Sequence, residues 1–480
     1  MEEDREEFEG GESAERMREH VERYEEMMRR SDAYFFDVDS FISIIDYYFI
    51  KNDPEKALQV VGFARSQHPF SIVFLLKKAQ LHTYLKEYTK AYKALDEASA
   101  LDPSEPEIFL TRGTAYSQQD MFEEAIDDFN HALSLTDEPD QVYQLMGFTY
   151  QGLTNYQKAA ECFRKALQSN SENEVAMFEL GLCYDILEQS DKAIAFYKSF
   201  IDEHPYSAIA WYNLGIAYHK NEQFDDAIEA FEYAIIIKDD YAAAYFSKGT
   251  TLAEQERFME AIEAYKQTFE METPDALTYY NIGECYESLE MPSDARSYYR
   301  KAVKMEPSLA DAWFGIGITL EFEERFYEAV HFIKKAIELE SYNSEFWFTL
   351  GDVQYKLGQI AESDEAYRRV IEYSPEDPGI WTDYGICLLE QGRFNESINI
   401  LNDGIKNHPE ISKLRYLLVC SLYFAGYRQD ALVALESALE LNYQEHLQLF
   451  EFYPALALDI EISSTIATWS SGRRTASKNE

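Results

Sequence analysis

The chain has 480 residues, of which 46% are hydrophobic and 15% aromatic, a composition that excludes disorder for most of its length. Its 43 lysines and arginines stand against 88 aspartates and glutamates, for a formal net charge of −45. Nucleic acid and anionic membrane both call for a basic surface, so this balance argues against them and favours a basic or neutral protein partner. The bland alternative is that the charge is only a solvated outer face.

Residues 1–37 read as an acidic N-terminal arm. Met1–Gly11 is acidic and glycine-containing and reads as disordered. The opening Met-Glu-Glu-Asp has no basic n-region or apolar h-region, so no secretory signal is expected. Glu12–Arg30 has Met17, Val21, Tyr24 and Met28 on one narrow stripe, which predicts a helix that is either mobile or caps the first repeat of the chain.

From Val38 to Glu445 the chain steps in units of 34 residues, twelve in all, with no insertion or deletion. Glycine recurs at one phase from Gly113 through Gly147, Gly181, Gly215, Gly249, Gly283, Gly317 and Gly351 to Gly385. A small residue recurs at a second phase from Ala57 to Ala431, with Ser363 and Ser397 standing in for alanine. The clearest unit is Ala208–Tyr241. Trp211, Leu214, Gly215 and Tyr218 are spaced by three and four and share one helical face. A second helix repeats the pattern with Phe224, Ala227, Ile228, Phe231 and Ala234. Glycine inside a helix costs roughly 1 kcal/mol against alanine. Its recurrence therefore predicts a close helix crossing, with the Ala227 phase making the reciprocal contact. The first two units, Val38–Ser71 and Ile72–Glu105, are divergent, with Ile45 and Ala79 at the glycine phase. Pro103, Pro205, Pro307, Pro375 and Pro409 fall in the loop leaving the second helix. The twelfth unit, Ser412–Glu445, has Arg415 in place of the aromatic and Val419 in place of the glycine. Residues 446–469 read as a cap, with a helix over His446–Tyr453, and Ser470–Glu480 as a disordered tail.

The order Trp211, Leu214, Gly215, Tyr218, then Ala227, Phe231 and Ala234, resembles the tetratricopeptide repeat (TPR), with its W-x2-L-G-x2-Y signature. The resemblance implies an all-α, right-handed α-solenoid, a superhelix of about 12 helix-turn-helix repeats closed by a C-terminal capping helix. It also implies a non-enzymatic scaffold or adaptor. In such proteins the first helices line a concave groove that holds segments of other proteins. The position after the Trp211 phase reads Ile42, Leu76, Leu110, Gln144, Phe178, Tyr212, Phe246, Tyr280, Phe314, Phe348, Thr382 and Tyr416. Phe178 through Phe348 would form an aromatic ladder for hydrophobic anchors, unless the rings are packing consensus. Asn213 and Asn281 would bond the ligand backbone, and Glu284, Glu287 and Glu321 would receive a lysine or arginine. The clamp for acidic chaperone tails is not expected. Only its asparagines are matched, and Glu284 and Glu287 would repel a carboxylate.

Catalytic signatures are missing: there is no P-loop, G-x-G-x-x-G, G-x-S-x-G or H-E-x-x-H. His68, His204 and His408 each precede a proline in well-separated units and cannot share a metal. No catalytic residue, cofactor or metal is therefore expected, and the 35 residues after Glu445 are too few for a catalytic domain. Cys162, Cys183, Cys285, Cys387 and Cys420 contain no C-x-x-C pair and read as small buried residues in a reducing, cytoplasmic setting. No apolar run reaches a membrane-spanning length. The alternative reading is a structural subunit that self-associates through its termini, the apolar Leu447–Tyr453 making homo-oligomer contacts.

Overall fold

The computed structural model describes residues 17–29, 34–271 and 273–476, and every regular element among them is helical. Helices follow one another in pairs, from Val38–Ile50 with Pro54–Gln67 to Ser412–Phe424 with Arg428–Asn442. The result is an all-α repeat solenoid. Contacts divide it into two compact units, Met1–Thr251 and Leu252–Glu480.

The Ala208–Tyr241 repeat explains the local fold. Ser207 caps the first helix, Ala208–Lys220, by accepting from the Ala210 N–H. Asn173, Asp275, Asn343 and Asp377 cap their own first helices from the same phase. Just past the end of the Ala208–Lys220 helix stands Glu222, whose φ is +58°. The Gln223 N–H then reaches back to the Tyr218 carbonyl at 2.9 Å, a Schellman closure that lets Phe224–Ile237 start at once. Positive φ recurs every 34 residues, from Asn52 through Lys86, Asp120, Thr154 and the glutamates to Gly358, Gly392 and Gly426.

The glycine phase is a close crossing, with a different partner from the one expected. A Cβ on Gly215 would stand 2.5 Å from the Phe231 ring, and one on Gly385 2.5 Å from Leu401. The glycine thus makes room for the large side chain sixteen residues on, not for the alanine phase. Ala227 is fully buried beside it. The tryptophan and loop phases are coupled by a hydrogen bond. Trp211 Nε1 donates to the Pro205 carbonyl at 2.9 Å, as Trp313 does to Pro307 at 3.0 Å. Arg415, which replaces the tryptophan, donates from Nη2 to the Pro409 carbonyl at 3.0 Å and preserves the link.

Both ends are covered. In the N-terminal unit, residues 17–29 form a helix whose Val21, Tyr24 and Met27 are buried against the first pair. Tyr24 meets Phe63 edge-on at 6.1 Å, and Glu25 accepts from Tyr48 Oη and Lys56 Nζ, both at 2.9 Å. The expected stripe is off by one residue: Met27 is inside and Met28 is 55% exposed. Met1–Gly11 lies outside the described residues.

In the C-terminal unit, the cap is not a single helix over His446–Tyr453. Two short 3-10 segments, Tyr443–Leu447 and Pro454–Leu458, bracket the helix Gln448–Phe452, and a longer helix, Ile460–Ala476, comes next. Leu449, Leu456, Ile462 and Ile466 bury against Tyr416, Cys420 and Leu435. Ile462, Ile466 and Trp469 lie three and four apart, so one face of the last helix is apolar and the helix runs on through positions expected to be disordered. Residues 477–480 lie outside the described residues.

Candidate protein-binding site

Consecutive first helices touch within each unit: Glu174–Ile186 meets Ala208–Lys220 in one, and Ala276–Ser288 meets Ala310–Phe322 in the other. In each unit they form a wall on which that unit's ladder positions lie. In the N-terminal unit, Leu76 and Leu110 are buried at this phase, Phe178 is 50% exposed, and Tyr212 and Phe246 are half-buried. In the C-terminal unit, Tyr280, Phe314 and Phe348 are half-buried, whereas Thr382 and Tyr416 are buried. The side chains left open are the six aromatics singled out by the spacing, together with Ile42 and Gln144, which are half-buried. Tyr416 closes because the C-terminal segment packs over its helix and its hydroxyl donates to the Asn442 carbonyl at 2.8 Å.

The rings lean on second-helix aromatics. Tyr212 lies 5.9 Å from Phe231, Tyr280 5.7 Å from Tyr299 and Phe348 5.6 Å from Tyr367, while Phe314 lies 4.6 Å from the first-helix ring Phe346. Such pairing holds these four rings in place.

The polar residues divide into engaged and available groups. Asn213 is buried and its Nδ2 donates to the Met177 carbonyl at 3.0 Å, tying one first helix to the one before it. It is therefore committed to the fold and corrects the expectation of a ligand contact. Asn281 is half-buried. Glu321 is already paired with Lys356 at 2.6 Å. Tyr280 Oη donates to Glu284 at 2.7 Å and Tyr299 Oη to Glu287 at 2.9 Å. Desolvation by the surrounding wall raises both carboxyls above the ordinary carboxylate range, and repulsion adds to it, from Asp311 for Glu284 and from Glu284 and Glu345 for Glu287. Asp311 is raised in turn by desolvation and by Glu340. Glu284 remains exposed, so water screens part of its effect. The tyrosines hold these acids in place, but no cation neutralises Glu284 or Glu287 among the ion pairs of the described residues.

The cysteines are free. Burial pushes the Cys183 thiol up to about 11 and the Cys285 thiol to about 12, so neither is a nucleophile at neutral pH. Among the described residues no group of three His, Cys, Asp or Glu could hold a metal ion, and no helix is long and apolar enough to cross a membrane.

Three family models described as Tetratricopeptide repeat match the chain, one at residues 106–139 and 310–343, one at 208–241 and 276–309, and one at 147–208 and 348–410. The chain belongs to the tetratricopeptide repeat family. TPR units of this kind are in general protein-interaction modules without catalysis. Solved structures similar to this TPR chain include YrrB, titled a TPR protein with an unusual peptide-binding site, at 20% identity over 37% of this chain and 92% of that one, TM-score 0.33. The APC/C hetero-tetramer Cut9–Hcn1 is 14% identical over 81% of this chain and 97% of that one, TM-score 0.39. MamA is 28% identical over 35% of this chain and 97% of that one, TM-score 0.31. No curated protein matches the TPR sequence.

Sequence reasoning missed the tyrosine–acid pairs of the TPR wall. At the second-helix aromatic phase Tyr299 and Tyr367 donate hydrogen bonds to the first-helix acids Glu287 and Asp352. Tyrosine at that phase is not by itself the signal, since Tyr197 stands there too and its hydroxyl makes no such bond.

Proposed function

We propose that this TPR chain is a non-enzymatic scaffold that binds segments of other proteins along the first-helix wall. The observation that carries the reading is the ladder phase itself. Its side chains are buried at Leu76 and Leu110 in one unit and at Thr382 and Tyr416 in the other, but open at Phe178, Tyr212 and Phe246 and at Tyr280, Phe314 and Phe348. Rings that stay partly exposed serve as anchors for apolar side chains. The buried Tyr416 is a precedent within the chain, since Leu449 of the C-terminal segment shares its core. The partner carries a lysine or arginine for Glu284 and Glu287. Raised carboxyls are a cost that a nearby cation relieves. The acidic net charge favours the same partner and speeds its arrival. Of Leu447–Tyr453, expected as a self-association surface, Leu449 is spent on the chain's own core and Leu447 stays 57% exposed.

Selection from a random peptide library on the full chain tests this. Enriched peptides should combine aromatic or aliphatic residues with lysine or arginine. The Phe246→Ala, Phe314→Ala double variant should lose the enrichment while keeping its helical circular dichroism. Undiminished enrichment on that variant removes the site from the wall.

A further inference from the structure

One first helix in the N-terminal unit is apolar where its counterparts are not. Val175, Phe178, Leu182 and Ile186 lie three, four and four apart on Glu174–Ile186, so they form one stripe. They are 47%, 50%, 40% and 54% exposed. The opposite face, with Ala176, Met177, Leu180 and Cys183, carries the packing and is buried. At the same four phases the first helix before it reads Gln141, Gln144, Phe148 and Gly152, and no other first helix of the twelve is apolar at all four. Packing of the repeat does not demand the stripe, since such a demand recurs at every period, as the glycine phase does.

In the next first helix, Ala208–Lys220, the same phases hold Ile209, Tyr212 and Ile216, all half-buried, and then Lys220. The two helices touch. Phe178 and Leu182 of one and Tyr212 and Ile216 of the other line a shared open hollow, together with the polar Asn213 and Ser190. The ion pair of Asp185 and Lys220, 2.8 Å apart, belongs to the same hollow, one residue before Ile186. At the Val175 end the helices open on a cleft of about 1090 Å³ that Ile209 also lines. Glu172, Glu174, Glu203, Asp239 and Asp240 line this cleft, with Lys238 as its single lysine or arginine. An apolar trough thus runs along two helices and has an acidic mouth at one end.

We infer that this trough takes an amphipathic helix of the partner, about three turns long, with a lysine or arginine at the end that reaches Glu172 and Glu174. The inference rests on the wall being the binding surface and names the kind of segment bound in the N-terminal unit. Val175 to Ile186 spans about 16 Å, three turns of helix. A partner helix puts side chains of the same three-and-four spacing on one stripe. It also satisfies its own N–H and C=O groups over a surface that offers them few partners. An extended segment crossing the ladder meets Phe178 and Tyr212 but leaves Val175 and Ile186 in water. An extended segment running lengthwise turns alternate side chains away and lays unpaired backbone groups on apolar surface. The charge of the cleft sets the end at which the segment is basic.

The probes are two labelled peptides locked as helices by side-chain lactams, with leucines spaced three, four and four apart. One carries lysines at its N-terminal end and the other at its C-terminal end. Fluorescence anisotropy with the full chain should show one of them binding about tenfold or more tighter than a peptide of the same composition whose leucines alternate. Val175→Asn with Ile186→Asn, at exposed side chains, should weaken that helix about tenfold or more while the circular dichroism stays at the parent's value. Leu277→Asn, at the Val175 phase of the C-terminal unit and 48% exposed, should leave its affinity unchanged. Failure of both helices to bind, equal affinity for the alternating peptide, or binding that survives Val175→Asn with Ile186→Asn overturns the inference. The two readings fail separately. Library enrichment undiminished by Phe246→Ala with Phe314→Ala removes the ladder, whereas enrichment that this pair abolishes and Val175→Asn with Ile186→Asn leaves intact removes the helix alone.

Discussion

Glu188, Glu222, Glu256, Glu290 and Glu324 each hold a left-handed backbone at the end of a first helix, where glycine is the usual choice. Only Gly358, Gly392 and Gly426 follow that preference. The left-handed region costs an L-residue about 1–2 kcal/mol because Cβ crowds the following carbonyl. Glu222→Gly and Glu290→Gly should therefore each stabilise the chain by about 0.5–1 kcal/mol after the extra entropy of glycine in the unfolded chain is set against the relief. Urea denaturation of each variant measures this, and a midpoint at or below that of the parent refutes the strain. These positions were not legible in the sequence. The turn demands a backbone angle and no apolar contact, so a glutamate there looks like any solvated charge. The Gly215 phase was legible because its demand is steric and recurs, although spacing alone could not say that Phe231, and not Ala227, is what the missing Cβ admits. Asn213 was misread for a related reason: a polar residue at a wall phase looks available until its acceptor, the Met177 carbonyl, is seen.

At the scale of elements, the helix pairs could be read and the ends could not. Between Val38 and Asn442 each helix could be checked against its counterparts one period away. The arm and the cap have no counterpart, so their packing had to be guessed from short apolar stripes, and the guesses placed Met28 inside and a single helix over His446–Tyr453. The physical role of the cap is nonetheless clear from its contacts. Tyr416, Val419, Cys420, Leu435 and Leu439 are buried by Leu449, Leu456 and Ile462. Each fully buried aliphatic side chain contributes about 1.5–3 kcal/mol. A chain ending at Glu445 should lose more helical signal than the removed helices account for, because the pair Ser412–Phe424 and Arg428–Asn442 frays with them. It should also bind a hydrophobic dye and scatter light as an aggregate. A truncated chain that stays monodisperse and keeps the parent's melting temperature would show that the cap covers nothing the last pair needs.

At the scale of the whole molecule, the repeats impose a particular kind of stability. Contacts run between the helices of a pair and between that pair and the next, so the free energy is close to a sum of nearest-neighbour terms. Such a chain can lose one region while the rest stays folded. Gly215→Leu is the sharpest way to provoke this. The added side chain would start 2.5 Å from the Phe231 ring, inside a core where Leu214, Phe231 and Ala234 are already buried. Overpacking of this kind costs about 1–3 kcal/mol or more, and the cost falls on the Ala208–Lys220 and Phe224–Ile237 helices. Urea unfolding monitored by circular dichroism should then split. An early phase should carry the signal of these helices and their neighbours, and a late phase should keep a midpoint close to the parent's. The slope of each phase should be smaller than that of the parent transition, since each exposes only part of the surface. A single transition at a lower midpoint with the parent's slope would mean that the molecule shares the damage throughout. The nearest-neighbour account of its stability would then be wrong, even with every helix pair in place.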